Sequence, residues 1–226
     1  WVQTLKMPGI NAITRIELNH PRPGPVLDLS VYAGTEVEAA LAAVKGELGL
    51  RYETDVQRLL RKVRTRYGTV ELAYDTGLLR AGALELPISE LEFELVSGRP
   101  AAIFASARGW QQRHGLVLDP RSKSERGDAL AQLAQRLADV DAIPGDDLEI
   151  RRAQAIAQFW APRGAAAVKL RDDMTPPQAM ARIAAECLDQ IARNAAVLAE
   201  VDTEGVYRAG NSEHVHQLRV GVRRLR

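Results

Sequence analysis

Charged side chains in the first hundred residues recur at every second position, and they are sorted by sign. The carboxylate-bearing segments contain Glu71 and Asp75, then Glu90, Glu92 and Glu94. The cation-bearing segments contain Lys6, Arg15, Arg58 and Lys62. Alternation places such residues on one face of a β-strand. Carboxylates gathered on one face repel one another unless a cation lies among them or solvent screens them.

This pattern predicts a site that holds both a metal and an anion. Clustered carboxylate oxygens suit a hard divalent cation such as Mg²⁺ or Mn²⁺, and lysine or arginine on neighbouring strands would donate to phosphate oxygens. For any single strand, a solvated outer sheet face explains the charges equally well. Because the opposite faces are consistently apolar, the whole set favours a closed sheet with an apolar exterior covered by helices and a charged interior.

Periodicity and turn residues predict an α+β fold that would position these side chains. Strands are expected at residues 1–6, 12–18, 52–64, 69–75 and 89–95, with turns at Gly68, Gly77 and Gly82 and a helix at 35–48. Helices are expected at 101–114, at 122–138 with Ser122 as its cap, and at 176–200 with Thr175 as its cap, and a last one begins at Asn211 or Ser212. The helix at 35–48 is expected to begin with a capping box of Thr35 and Glu38 and to carry an apolar stripe of Val37, Leu41, Val44 and Leu48. The expected core face of the helix at 176–200 carries Met180, Ile183, Cys187, Leu188 and Ile191, and that of the last helix carries Val215, Leu218, Val222 and Leu225. Residues 141–174 are less regular and are interpreted as a linker.

Five segments resemble, in family order, the strand motifs of the CYTH, or triphosphate tunnel, family. They are QTLK at 3–6, RIE at 15–17, ETDVQR at 53–58, VELAYDTG at 70–77 and PISELEFELVSG at 87–98. The segment PRSKSERG at 120–127 resembles the C-terminal end of the bacterial inorganic triphosphatase branch. The resemblance implies an eight-stranded antiparallel β tunnel, or barrel, that binds inorganic triphosphate and hydrolyses its terminal phosphoanhydride with Mg²⁺ or Mn²⁺.

The resemblance also assigns roles to individual residues. It implies that phosphate is bound by Lys6, Arg15, Arg58 and Lys62. It also implies that metal coordination or orientation of the attacking water is carried out by Glu17, Glu71, Asp75, Glu90 and Glu92. Glu94, near a strand end, is expected to be structural. Thiamine triphosphatase and adenylate cyclase are other activities of the same family, and the motifs do not separate them.

One departure from the family concerns the N-terminus. The family begins with a Glu-x-Glu-x-Lys strand followed by an arginine-bearing strand, and neither precedes Trp1. A helical pattern is still running at Arg226. We therefore expect an internal fragment that lacks about two tunnel strands and is itself inactive or nearly so, with the enzyme being the full-length parent. The expected domains are 1–140, the linker 141–174 and 175–226.

The C-terminal segment carries a row of basic residues at helical spacing, composed of His216, Arg219, Arg223 and Arg226. Such a row is unfavourable unless an anion bridges it. A solvated basic face or a nucleic-acid-binding helix are the alternatives. The segment resembles the start of a CHAD domain, a helical bundle associated with polyphosphate binding. That resemblance implies polyphosphate contacts from His216, Arg219, Arg223, Arg224 and Arg226.

Composition narrows the function classes. The net charge is +1 and aromatic residues are few near the basic row, which argues against nucleic acid as the partner. The single cysteine excludes an intramolecular disulfide and fits the cytoplasm. No apolar run reaches the roughly 20 residues that span a bilayer. A non-catalytic polyphosphate-binding protein is the main alternative to an enzyme, and the acidic strands favour the enzyme.

Overall fold

The computed structural model describes residues 1–9, 14–46, 48–200 and 210–226. The chain divides into two compact units, residues 1–49 and 50–226. Each unit is described by itself.

The first unit is built on a two-stranded antiparallel sheet. Strand β1, Val2–Pro8, pairs with β2, Arg15–Pro21. Gln3 is buried because its side-chain amide donates to the Asp28 carbonyl at 2.9 Å and accepts from the Asp28 N–H at 2.9 Å. A 3₁₀ turn, Leu29–Tyr32, and a short helix α1, Glu38–Ala42, complete the unit.

The helix predicted at 35–48 is much shorter in the structure. The Thr35 hydroxyl donates to the Tyr32 carbonyl at 2.6 Å, and the Glu38 carboxylate accepts from the Gly34 N–H at 2.9 Å. Both capping groups therefore bond to the preceding turn and do not form the predicted capping box. Val44 and Leu48, expected on an apolar stripe, are exposed beyond the end of α1.

The second unit contains a three-stranded antiparallel sheet in the order β3–β4–β5. The strands are β3, Glu53–Thr65, β4, Gly68–Ala81, and β5, Leu84–Gly98. The predicted turn at Gly77 is wrong, because β4 runs through this residue and turns at Gly82, which has a φ of 58°. Within the described ranges the sheet is open, with β3 and β5 at its edges, so these residues form no closed tunnel.

Helices cover both faces of this sheet. Helix α2, Ala101–His114, packs on one face, against Val70 and Leu72. Helix α3, Lys123–Asp141, packs on the other face, in one core cluster with Leu79 and Leu86. Helix α4, Leu148–Phe159, packs against α3 and adds Ala155 to the same cluster. The bounds of α2 match the prediction, and Ser122 caps α3 as expected. Helix α4 lies inside the stretch 141–174 that was predicted to be irregular.

Helix α5, Pro176–Ala199, and helix α6, Ser212–Leu225, pack against each other. The predicted N-caps, Thr175 and Asn211, are confirmed. No helix among the described residues is long and apolar enough to cross a membrane.

The core-facing sides of α5 and α6 differ from the prediction. Met180, Ile183 and Leu188 are exposed on α5, and Val215, Val222 and Leu225 are exposed on α6. Cys187, predicted on the core face of α5, is buried as expected, and Gln190, Asn194 and Val197 are buried with it. The buried side of α6 carries His214 and Gly221. Gly221 allows the close approach, since a Cβ there would lie 2.8 Å from Ile191. Polar side chains fill the remaining space through hydrogen bonds.

Candidate functional site

The strand register brings four charged residues together on the face of the sheet that α3 covers. Arg58 on β3 lies opposite Asp75 on β4, and Asp75 lies opposite Glu90 on β5. Glu92 follows two positions along β5 on the same face. Alternation and antiparallel pairing are sufficient to produce this arrangement. The direct pairing of Arg58 with Asp75 on adjacent strands was not predicted.

Three of these residues form what we term the carboxylate cluster: Asp75, Glu90 and Glu92. One oxygen from each lies within 4.8 Å of the others. Arg58 is paired with Asp75 through two bonds, Nε to Oδ1 at 2.7 Å and Nη2 to Oδ2 at 2.6 Å. The same Nη2 donates to Glu92 at 2.8 Å. This fork geometry fixes the arginine beside the cluster.

Helix α3 supplies two more cations to the carboxylate cluster. The Lys123 ammonium lies 2.7 Å from Asp75 Oδ2 and 2.8 Å from Glu92 Oε1, and it also contacts Glu90. The Arg126 guanidinium contacts Glu90. Three carboxylates are therefore balanced by three cations.

Burial makes this balance necessary. The Asp75 side chain is 0% exposed and that of Lys123 is 16% exposed, and an unpaired charge in such a position would be costly. The Arg58 hydrogen bond is the main reason that the pKa of Asp75 falls from 3.8 to about 2, against the opposing effect of burial. Burial lowers the pKa of Lys123, but hydrogen bonds to the three carboxylates outweigh it and the net shift is upward.

The donor set of the carboxylate cluster fits a hard divalent cation. Three carboxylate oxygens at this separation are the ligand type that Mg²⁺ and Mn²⁺ accept, with water completing the shell. The Lys123 ammonium stands among the same oxygens and supplies one positive charge there. A divalent ion would replace that charge only if Lys123 moved away, so a lysine and a metal ion would compete for one position.

The other predicted tunnel residues of this unit lie along the same sheet face, away from the carboxylate cluster. Lys62 is 3.9 Å from Glu71, its partner across β3 and β4. Glu94, which was predicted to be structural, lies opposite Glu71. The acidic face thus continues from Glu90 to Glu94, with Glu71 beside it.

Lys6, Arg15 and Glu17 belong to the first unit. They share one face of the β1–β2 sheet, where Lys6 pairs with Glu17 at 2.8 Å and both β2 residues are exposed. The opposite face carries the half-buried Ile16 and Leu18, as the alternation predicted. The predicted assembly of these residues with Arg58 and the carboxylate cluster stays a prediction.

The basic row of α6 is exposed along its whole length: His216, Arg219, Arg223 and Arg226. Arg224 differs from its neighbours because it points toward α5. It donates to Gln190 Oε1 at 2.6 Å and to the Ala166 carbonyl at 3.2 Å. Four of the five predicted polyphosphate contacts are thus open to solvent, and Arg224 is engaged in packing.

Lys123 and Arg126 were not assigned a role from the sequence. Both lie in the segment 120–127, which was noted only for its family resemblance. Their position could have indicated a role. Both lie in the first turn of a capped helix whose later residues, Leu130 and Leu133, pack on the sheet. The first turn also contains Glu125, which suits the helix dipole, whereas Lys123 and Arg126 do not.

No family model matches this chain. The chain is 34% identical over 76 residues to an inorganic triphosphatase of Haemophilus influenzae. That match covers 34% of this chain and 22% of the relative's length. This similarity points to the same kind of protein as the resemblance of the strand motifs. The matched segment spans about a fifth of the relative's length.

Proposed function

We propose that the full-length protein that carries this chain hydrolyses inorganic triphosphate in a metal-dependent reaction, with the carboxylate cluster as the metal site. The observation that carries the proposal is the convergence of Asp75, Glu90 and Glu92 beside Arg58 on one sheet face. Three converging carboxylates would repel an anion unless a metal ion or protein cations neutralised them. The partial similarity to an inorganic triphosphatase supports the same reaction class.

The residues present would divide the work between charge balance and positioning. Mg²⁺ or Mn²⁺ held by the carboxylate cluster would offset the charge that develops on the transferred phosphoryl group. Arg58, fixed by its bidentate pair, would donate to phosphate oxygens without reorganising. Lys123, displaced from the carboxylates, would carry its ammonium to the phosphate chain. Glu92, more exposed than Asp75, would orient the attacking water and accept its proton.

Phosphate binding by the remaining predicted cations extends this proposal. Lys62 is exposed and held loosely at 3.9 Å from Glu71, so it is available to an anion on the same face. Lys6, Arg15 and Glu17 would contribute from the first unit if its charged face also lines the site. The proposed domain division, 1–140, 141–174 and 175–226, rests on the two family resemblances, that of the strand motifs and that of the C-terminal helix.

A non-catalytic polyphosphate-binding protein is the second candidate, and a specific observation favours it. The carboxylate cluster is already neutralised by Arg58, Lys123 and Arg126. In that case the three carboxylates serve to hold three cations in position for an anion, and Lys123 never yields its place. The exposed basic row of α6 would then be the main contact for a polymer.

The decisive experiment measures phosphate release from tripolyphosphate by the full-length protein, with Mg²⁺ or Mn²⁺ and then with excess chelator. The double variant Glu90→Gln, Glu92→Gln removes two cluster carboxylates. We expect metal-dependent release that falls by about 100-fold or more in this variant, since lost metal ligands abolish charge stabilisation. The same assay with thiamine triphosphate and ATP tests the other activities that the motifs leave open.

Glu94→Gln is the matched control, because Glu94 lies two positions farther along β5 on the same face. Its activity should stay within about threefold of the parent, as expected for a rim charge outside the cluster. Absence of release together with intact polyphosphate binding would refute the enzyme and establish the binding protein.

The α6 segment calls for a separate test. We propose that its exposed basic row binds polyphosphate through charge-assisted contacts. Replacing Arg219 and Arg223 by Gln should weaken binding to long-chain polyphosphate and reduce its salt dependence. Replacing Arg171 and Lys169, which are also exposed, should change the affinity much less. Equal loss in both pairs would show a non-specific charge effect.

A further inference from the structure

The first turn of α3 carries side chains that contact two different parts of the second unit. Lys123 and Arg126 reach the carboxylate cluster on the sheet. Glu125, from the same turn, is paired with Arg193 on α5. One short stretch of backbone therefore carries both the lysine that lies at the proposed metal position and a carboxylate that is bound to another helix.

Two ion pairs join this part of the chain to α5. Arg193 donates to both oxygens of Glu125, at 2.5 and 3.4 Å, and to Asp189 one turn earlier on α5 at 2.8 Å. Arg121, just before α3, donates to Glu200, the C-cap of α5, at 2.7 Å. Because Asp189 also binds the Arg193 guanidinium, that guanidinium is fixed on α5 and restrains Glu125.

Polar contacts position the first turn of α3. Besides the ion pairs, the Tyr52 hydroxyl donates to Ser124 Oγ at 3.2 Å. Leu130 is the first residue of α3 in the apolar core that the described residues form, and it lies about two turns after Lys123. A shift of the first turn therefore costs fewer apolar contacts than a shift of the rest of α3.

We propose that Arg193 is a positioning residue for Lys123. By holding Glu125, it keeps the first turn of α3 at the carboxylate cluster, where the lysine ammonium occupies the position proposed for a metal ion. Loss of the pair between Arg193 and Glu125 would make it easier for a divalent ion to displace Lys123. This inference rests on the proposed metal site, and it makes α5 a regulator of that site.

The attachment of the cations to α3 explains the direction of the effect. Lys123 lies 2.7 Å from Asp75 and 2.8 Å from Glu92, and the attraction falls as these distances grow. Arg126 would separate from Glu90 in the same movement, which leaves more carboxylate charge without a partner. A metal ion is not attached to the helix, so a shift of the first turn weakens the bound lysine and favours the metal.

The position of Lys123 can be followed without any metal, through the rate at which its amine is acetylated. The full-length protein is labelled with trace acetic anhydride in excess chelator at one fixed pH, and each lysine is measured by peptide mass spectrometry. Lys62, whose side chain is 64% exposed against 16% for Lys123, is the internal reference. In the parent, Lys123 should react at least about tenfold more slowly, because its ammonium is buried among carboxylates.

Arg193→Gln and Glu125→Gln break the same ion pair but change the net charge in opposite directions. Both should raise the acetylation rate of Lys123 relative to Lys62 by about threefold, the size expected for a partly exposed ion pair. A long-range charge effect would instead shift the two variants in opposite directions. Circular dichroism checks that each variant is folded.

Arg152→Gln is the matched control for these variants. Arg152 pairs with Asp141 at 2.6 Å at the other end of α3, and this pair is about as exposed as the pair of Arg193 with Glu125. The control should leave the labelling ratio unchanged. Adding Arg121→Gln to Arg193→Gln removes the second ion pair with α5 and should raise the ratio further.

Mg²⁺ affinity, measured by titration calorimetry, tests the consequence for the proposed metal site. Arg193→Gln and Glu125→Gln should each bind Mg²⁺ about threefold more tightly than the parent. In a Lys123→Met background no lysine is left to displace. There Arg193→Gln should change the affinity by less than about 1.5-fold, since its effect acts through Lys123.

An unchanged labelling ratio in Arg193→Gln and Glu125→Gln overturns the proposal, and so do opposite changes in the two. Equal tightening of Mg²⁺ binding by Arg193→Gln with and without Lys123 also overturns it. If Lys123→Met gains no Mg²⁺ affinity over the parent, the proposed metal site fails instead. The labelling ratio, measured in chelator, then still decides whether Arg193 positions Lys123.

Discussion

The two ends of one sheet face, both covered by α3, are built on opposite principles. At one end Leu79, Leu86 and Ile88 pack against Leu130 and Leu133. At the other end, the carboxylate cluster meets Arg58 and the first turn of α3. Gly77 lies between the two ends on β4, opposite Ile88.

The apolar end stabilises the unit, whereas the charged end holds the residues that could do chemistry. Burying leucine and isoleucine side chains contributes about 1.5–3 kcal/mol each. Burying ion pairs contributes little or nothing net, because desolvation offsets the Coulomb attraction. The apolar end therefore holds α3 in place, and the charged end depends on that positioning. A charged end with little net stabilising effect is expected where charge serves a function.

The largest effect is expected at the apolar end. Leu130→Ala should lower the free energy of unfolding by about 4 kcal/mol, because Leu130 is fully buried and its removal leaves a cavity. Leu60→Ala is the matched control, since Leu60 lies between Arg58 and Lys62 on the charged part of the face and is 59% exposed. Its cost should be below about 0.5 kcal/mol. Urea unfolding of both variants checks the contrast, and equal losses would contradict it.

Gly77 tests the junction between the two ends. Its φ is 155°, and a Cβ there would overlap the Asp55 carbonyl oxygen and lie 2.8 Å from Val56 Cα. Because these are backbone atoms on β3, no side-chain rotation relieves the overlap. Gly77→Ala should cost about 3 kcal/mol. Gly109→Ala in α2 meets nothing within 4 Å and should stabilise by up to about 1 kcal/mol. A thermally neutral Gly77→Ala would show that β3 shifts freely.

Lys123→Met tests whether the charged end accepts a metal in place of the lysine. In chelator it should cost about 2 to 3 kcal/mol, because three close carboxylates keep only two cations. Added Mg²⁺ should restore most of that loss in the variant and change the parent far less. Lys62→Met, which removes an exposed lysine 3.9 Å from Glu71, should show neither effect.

The absence of Mg²⁺ rescue in Lys123→Met would mean that the carboxylate cluster is built for lysine. Together with absent hydrolysis, it would favour the binding protein over the triphosphatase. Rescue by Mg²⁺ with no change in Lys62→Met would support competition between lysine and metal for one position.

Local signals in the sequence predicted much of this fold. Ser122, Thr175 and Asn211 are caps whose side chains identify helix starts without any tertiary information. Strand parity predicted the shared face of Glu71 and Asp75 and that of Glu90 and Glu92, whereas the register between strands was not predicted. These features depend on neighbours a few residues apart or on the period of a strand.

What the sequence did not predict depends on contacts between distant segments. Lys123 and Arg126 meet β5 from more than 30 residues away, and no local pattern shows that their helix begins over the carboxylates. Helix α5 carries apolar residues on two faces, so the apolar pattern does not decide which face is buried. The buried face is the one on which Gln190 donates to the Gln217 carbonyl of α6 and Asn194 to the Arg163 carbonyl. The turn predicted at Gly77 failed because glycine also permits close strand approach.

The smallest expected effect is a loss of stability at low pH, caused by protonation of Asp75 at the charged end. The pKa of Asp75 falls from 3.8 to about 2 in the folded chain. The ionised form is favoured by folding, so its contribution is complete above pH 4 and is lost as the pH falls toward 2. The loss amounts to at most about 2 kcal/mol. Asp75→Asn should remove this dependence between pH 4 and 2, whereas Asp55→Asn, at an exposed carboxylate on the opposite sheet face, should retain it. If the stability of Asp75→Asn falls with pH as it does in the parent, another group causes the acid sensitivity. That result would also show that the ion pairs at the charged end are not what lowers the pKa of Asp75.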